Sequence, residues 1–258
     1  MPHQILDGSN RYVFAHGFTQ TARSWDTLLR LLHLRRSGID AIAVDLPGHG
    51  EAAPPADSDL WSSADRLVET AGAGTYVGYS MGGRVALHAA LAHADAVERL
   101  VLIGATAGID DTDERAARRH ADRRLADHIE EIGVPTFIDE WLTNPLFAGL
   151  TADNALRSDR LRNSAVGLAS SLRATGTGMQ APLWDRLGEI ACPTLVLVGE
   201  HDAKFTELGR RLVDGIADAE LVVIPGAGHS VHLEQPGATA DAIVIWTATI
   251  TPGVRPQA

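Results

Sequence analysis

Apolar positions along the chain follow two alternating rhythms. Short, nearly continuous apolar runs at Arg11–Ala15, Ile39–Val44, Leu100–Ile103, Thr194–Val198 and Leu221–Ile224 read as buried strands, and Thr75-Tyr76-Val77 reads as the end of another. Between them the spacing changes to that of a helix. Residues 24–34 set Trp25, Leu28, Leu29, Leu31 and Leu32 on one face. Residues 59–70 read as a helix with a serine or aspartate as N-cap, 85–91 as an apolar helix, and Pro236 takes an N1 position opening a last helix to about Thr249. Strands alternating with helices predict a mostly parallel central sheet flanked by helices, an α/β architecture. The alternation stops between about Gly108 and Ile190, where helix-like pieces rich in Arg, Asp and Ala replace any convincing strand. The expected organisation is a core of 1–107 and 190–258, interrupted by a helical cap at 108–189. An antiparallel edge hairpin before Arg11 would have to be truncated, and the tail from Thr251, with two prolines, is expected to fray.

Composition narrows the function classes. A length of 258 residues suits one large domain with an insertion. No apolar run reaches the roughly 20 residues that span a bilayer, and Met1–Gly8 lacks a basic segment leading into an apolar core, so neither a membrane span nor a secretory signal is expected. The single cysteine, Cys192, allows no internal disulfide and suits a reducing cytoplasm. A formal net charge of −11 argues against a nucleic-acid partner. It says little about a pocket, whose local charge can oppose the global sign.

The chemistry is carried by Gly78-Tyr79-Ser80-Met81-Gly82, a G-x-S-x-G sequence set between an apolar run and an apolar helix. A nucleophile elbow needs that context: a sharp strand-to-helix turn that lifts a serine hydroxyl above a sheet. A serine hydroxyl is a weak nucleophile or base alone. It requires a histidine to take its proton and an acid to fix the histidine tautomer. Asp202 follows the strand at 194–198, and His229 follows the strand at 221–224 in a glycine-rich approach. The order Ser80, Asp202, His229 places each just past the carboxyl end of a strand, where open α/β sheets build their sites. Glu200 is a rival for the acid and His232 for the histidine. His16-Gly17-Phe18, after the first strand, suits an oxyanion-hole loop, with backbone N–H groups from Phe18 and Met81.

These segments resemble the α/β-hydrolase superfamily over nearly the whole chain. Within it the chain is most similar to the 2-succinyl-6-hydroxy-2,4-cyclohexadiene-1-carboxylate synthase family of menaquinone biosynthesis. The likeness extends to the helix 114–124, to Trp141 with Pro145-Leu146-Phe147-Ala148, and to Gly199-Glu200-His201-Asp202-Ala203-Lys204-Phe205. Met81 stands where the family is expected to have leucine. The resemblance implies a lyase, needing no cofactor and no metal, that eliminates pyruvate from 2-succinyl-5-enolpyruvyl-6-hydroxy-3-cyclohexene-1-carboxylate. Ser80, activated by His229 and Asp202, would take a ring proton, with no acyl-enzyme. It also implies three substrate-binding arginines, Arg84, Arg118 and Arg162, with Tyr79 and Trp141 lining the pocket, as suits a small polycarboxylate substrate. Arg119 competes with Arg118 for the second position. Lys204, the only lysine, is expected to shape the loop of the triad acid. The same triad would also serve a serine hydrolase acting on an ester, thioester or carbon–carbon bond, and the fold alone would suit a non-catalytic ligand-binding protein.

Overall fold

The structure, a computed structural model, describes residues 10–54 and 59–250. The hairpin expected before Arg11 and the tail expected to fray lie outside the described residues.

Six strands form one parallel sheet: β1 (Arg11–Ala15), β2 (Asp40–Val44), β3 (Gly74–Tyr79), β4 (Val97–Ile103), β5 (Thr194–Gly199) and β6 (Ala219–Ile224). Their order across the sheet is β2-β1-β3-β4-β5-β6. The chain moves outward from β1 to β2, then returns past β1 to add β3 on its other side. The succession therefore reverses at the β1/β3 pair, where Phe14 aligns with Val77 and Ala15 with Gly78. Sheets of this kind leave a crevice at such a reversal, outside the carboxyl ends of the strands.

Both faces of the sheet are covered, which is why its strands read as continuous apolar runs. Side chains alternate across it. Val13, Tyr76, Leu100, Leu102 and Val196 pack on one side under α2 (Leu60–Ala71), α3 (Met81–Ala92) and α7 (Ala203–Gly215). Phe14, Val77, Val101, Ile103 and Leu195 pack on the other under α1 (Asp26–Arg35) and α9 (Pro236–Thr249). The expected N-cap of α2 is Asp59, whose carboxylate accepts from the Ser62 N–H in a full capping box.

Between β4 and β5 lie α4 (Thr112–Leu142), α5 (Arg157–Arg160) and α6 (Ala165–Thr175). The first is two helices joined at Gly133, whose φ of 76° is left-handed, with Pro135 closing off continuation of the earlier ladder. A third apolar cluster, including Ile129, Phe137, Ile138, Leu168 and Leu172, holds α4 against α6. The short helix α8 (Val231–Glu234) follows the loop after β6.

Candidate active site

The elbow lies where β3 meets α3. Ser80 has φ 50° and ψ −105°, a strained backbone for a residue with a side chain. The turn is held because the Ser80 N–H donates to the Ile103 carbonyl at 2.8 Å and its own carbonyl accepts from the Arg84 N–H at 3.1 Å. The flanking glycines are required by contact. A Cβ at Gly78 would overlap the carbonyl of Gly82, and one at Gly82 would overlap that of Ala15. β3 and α3 are longer than the apolar pattern suggests, because Gly78, Tyr79, Gly82 and Gly83 break the periodicity while remaining inside the elements.

His229 and Asp202 meet as the spacing predicts. The His229 Nδ1–H donates to Asp202 Oδ2 at 2.7 Å, and the two residues are 2% and 8% exposed. Asp202 is also the N-cap of α7, its Oδ1 accepting from the Phe205 N–H at 3.2 Å. A carboxylate fixed at both oxygens sets the tautomer of the ring and leaves Nε2 as an acceptor. The imidazole is further held by Phe205 and Tyr79, with ring centroids at 4.3 and 5.3 Å. The two rivals are elsewhere. Glu200 is exposed and accepts from the Gly226 N–H at 2.8 Å. His232 is buried between Trp25 and Tyr79, where burial keeps it neutral.

Ser80 and His229 open into a cavity of about 900 Å³, shared by Phe18 and Met81 of the expected oxyanion hole and by Tyr79 and Trp141. Met81 is the first residue of α3, so its N–H is one of the donors that a helix leaves without an internal partner. The loop carrying Phe18 is held by a buried histidine pair. His16 donates from Nδ1 to the Gly17 carbonyl at 2.9 Å and accepts from the Leu46 N–H at 3.0 Å, and His49 packs on it with ring centroids at 4.9 Å. Burial lowers the pKa of both rings. The Tyr79 hydroxyl is hydrogen-bonded to Ser230 Oγ at 2.7 Å, and burial raises its pKa. Trp141 stacks among Phe18, Phe137 and Phe147.

The arginines divide. Arg84 lines the cavity, 6% exposed, and donates to the Thr175 carbonyl at 2.7 Å and to Gln180 Oε1 at 3.5 Å. Burial, reinforced by the charge of Arg118 and opposed by that of Asp122, pulls its pKa down to about 10, so it remains a cation at neutral pH. Arg118 lines the same cavity, its Nε donating to Asp122 Oδ1 at 2.7 Å. Arg119 does not line it; its backbone packs against Gly178. The expectation for Arg162 is corrected. That side chain is 34% exposed, turns towards Glu51 at 3.4 Å and Asp159 at 3.9 Å, and does not line the cavity. The cavity is lined instead by Arg160, which is 1% exposed. Two positions apart on a helical turn, side chains leave in nearly opposite directions. Lys204 is also on the wall, its Nζ 5.9 Å from the Phe205 ring centre.

Gln20, Asp122 and Arg160 are cavity residues that sequence reasoning missed. The one available signal was the Arg160-x-Arg162 pair itself, which offers two registers.

A model of the Alpha/beta hydrolase family matches residues 12–242. The chain is 34% identical over 253 residues to the 2-succinyl-6-hydroxy-2,4-cyclohexadiene-1-carboxylate synthase of Salmonella typhimurium, a match covering 94% of this chain and 95% of that protein. Among solved structures, MenH from S. aureus superposes with a TM-score of 0.86 at 30% identity, covering 93% of this chain and 94% of that one. A thermophilic esterase from Thermogutta terrifontis, solved with malate bound, gives 0.81 at 26% identity, covering 93% and 90%.

Proposed function

We propose, from the premise that this chain belongs to the alpha/beta hydrolase family and shares most of its length with 2-succinyl-6-hydroxy-2,4-cyclohexadiene-1-carboxylate synthases, that it is such a synthase. In this reading it is a lyase of menaquinone biosynthesis that eliminates pyruvate from 2-succinyl-5-enolpyruvyl-6-hydroxy-3-cyclohexene-1-carboxylate. Its substrate is a small polycarboxylate anion met in the cytoplasm, a setting that suits a lone Cys192 whose thiol is pushed up to about 12 by burial.

The mechanism uses the site residues in these roles. His229 takes the Ser80 proton through Nε2, while Asp202 holds the ring tautomer and stabilises the imidazolium. The Ser80 oxygen removes a proton from the ring carbon beside the succinyl carbonyl. The charge passes to that carbonyl oxygen, which the Phe18 and Met81 N–H groups receive. The electron pair returns to form a double bond from that ring carbon, the existing ring alkene shifts by one carbon to make the diene, and the carbon–oxygen bond to enolpyruvate breaks. The departing enolate takes on carbon the proton held by the His229 imidazolium, which returns the ring to neutral, and leaves as pyruvate. The segment 108–189 serves as the cap over this chemistry.

One observation carries the substrate class. Arg84, one turn beyond Ser80, is a buried cation whose hydrogen-bond acceptors are neutral oxygens, and among the described residues it forms no ion pair. The nearby Asp122 carboxylate is engaged by Arg118 and by the Gly178 N–H, and a buried cation with no ion pair of its own is costly unless a ligand supplies one. A hydrolase of neutral esters has no use for it. The test is a ratio of two rates in Arg84→Met, which keeps the volume and removes the charge. Pyruvate elimination is expected to fall about 10–100-fold in kcat/KM, the worth of a charged hydrogen bond, with a far smaller fall for hydrolysis of a neutral p-nitrophenyl ester. Equal losses in both would contradict the carboxylate role.

A further inference from the structure

One carboxylate brackets the histidine of the triad. Glu234 accepts from the Gly228 N–H through Oε2 at 2.6 Å and from the Ser230 N–H through Oε1 at 2.8 Å. His229 is the residue between them. Glu234 reaches this position because it lies one helical turn beyond Ser230, its own N–H donating to the Ser230 carbonyl at 2.9 Å. The side chain folds back over the start of α8, and its bond to the N-cap N–H is the kind a capping box makes. The bond to Gly228 is additional, and the pair of bonds spans His229. The rest of this loop is tied as well. The Ala227 carbonyl accepts from the His201 N–H at 2.8 Å, and Ser230 Oγ is hydrogen-bonded to the Tyr79 hydroxyl at 2.7 Å.

The same carboxylate faces the segment inserted between β4 and β5. A Cβ at Gly149 would overlap Glu234 Oε2, the oxygen that holds Gly228. Further along that stretch, Asn154 Nδ2 donates to the Leu233 carbonyl at 3.2 Å. Residues 149–154 therefore rest on α8 at both Leu233 and Glu234. They directly follow Leu146 and Phe147, which line the cavity, whereas Glu234 does not line it. A helix of four residues is capped by one carboxylate oxygen on Ser230. The second oxygen, on the far side of His229, adds nothing to that cap. Two charge-assisted bonds to the peptides flanking one residue fix the backbone that aims its side chain.

We infer that Glu234 is a positioning residue for His229, and that Gly149 sets the place of its carboxylate from the cap side. Glu234 acts through the main chain and from outside the cavity. The bare Cα of Gly149 lets the cap close onto the carboxylate without displacing it. The inference rests on the reading of Ser80, Asp202 and His229 as a triad, but not on which reaction the triad performs.

Two variants test it. Glu234→Gln keeps the size and one acceptor oxygen, and turns an amide donor towards one of the two N–H groups. Gly149→Ala leaves Glu234 in place and presses on its carboxylate from the cap. Each is measured in pyruvate elimination, in hydrolysis of p-nitrophenyl acetate, and by proton NMR of the His229 Nδ1–H, identified by its loss in Asp202→Asn. In Glu234→Gln, kcat is expected to fall about 10–100-fold in both reactions, as for lost charged hydrogen bonds and a misaimed base, with KM within about twofold. In Gly149→Ala the same pattern is expected at about threefold to tenfold. The Nδ1–H signal is expected to shift or broaden in both. A merely structural role would lower the melting temperature and leave kcat and the signal of the folded protein where they are. In folded Glu234→Gln, kcat within about twofold of wild type, a loss taken in KM, or an unmoved signal would overturn the positioning role. Wild-type kcat in Gly149→Ala would overturn the part assigned to the cap. If Glu234→Gln does not fold, Gly149→Ala decides: lowered kcat with a moved signal supports the role, and wild-type kcat overturns it. Ester hydrolysis and the signal changed by both variants, in a protein that releases no pyruvate, would keep the role of Glu234 and remove the synthase reading.

Discussion

His229 donates its Nδ1–H to Oδ2 of Asp202 across 2.7 Å, in a contact nearly closed to solvent. Asp202 also caps α7, so the carboxylate that orients the histidine is itself oriented by a helix. Asp202→Asn removes the negative charge and allows the amide to present a donor to Nδ1, which favours the wrong tautomer. A loss in kcat of about 10³–10⁴-fold is expected for elimination, with KM little changed. Steady-state kinetics checks this, and a loss under tenfold would mean that Asp202 serves only as a cap.

Gly82 holds α3 against β1, with no room for a Cβ beside the Ala15 carbonyl. Gly82→Ala is expected to destabilise the protein by about 1–3 kcal/mol or more, as overpacking does, and to lower kcat by displacing Ser80. Denaturant midpoints and kcat are expected to fall together. A stable variant with full activity would show that the elbow tolerates looser packing.

The elbow and the Asp202–His229 contact were legible in the sequence because each is set by local spacing: glycines at fixed offsets from Ser80, and an acid and a histidine just past strand ends. The arginine of the 157–163 segment that lines the cavity was not. Leu156, with φ 53°, opens the four-residue helix α5 in a left-handed turn, and no strand register or long amphipathic face announces which of Arg160 and Arg162 turns inward. Arg118 was separable from Arg119 only by the approach of Gly178, some sixty positions away in sequence, to the Arg119 backbone. Helix α7 went unread because Gly209 and its mixed charges obscure a face that buries only Gly209 and Leu212.

Arg162 offers a direct contrast. Its contacts are with the exposed Glu51 and, at 3.9 Å, with the part-buried Asp159. Arg162→Ala is expected to leave kcat/KM for elimination within about twofold, since exposed pairs contribute little, whereas Arg118→Ala is expected to raise KM. A KM rise for Arg162→Ala as large as that for Arg118→Ala would mean that the 157–163 segment turns over when substrate binds.

His88 links acid stability to the site. Its Nδ1–H donates to the Arg84 carbonyl at 2.7 Å, and burial is the main cause that lowers its pKa to about 4. The unfolded chain, with a histidine pKa near 6.5, then binds more protons than the folded one between those values. Stability is therefore complete above about pH 6.5 and is lost as pH falls towards 4, by an amount on the order of 3 kcal/mol for this group. His16, His49 and His232, lowered in the same direction, add to the slope. The melting temperature is expected to fall from pH 7 to pH 4.5, and less steeply in His88→Asn. An unchanged slope in that variant would assign the acid sensitivity to other groups.

The most direct measurement is the release of pyruvate from 2-succinyl-5-enolpyruvyl-6-hydroxy-3-cyclohexene-1-carboxylate by the purified protein and by Ser80→Ala. The expected result is rapid, stoichiometric pyruvate from the wild type, and a rate at the uncatalysed background from the variant. Wild-type release no faster than background, or full activity in Ser80→Ala, would contradict the account.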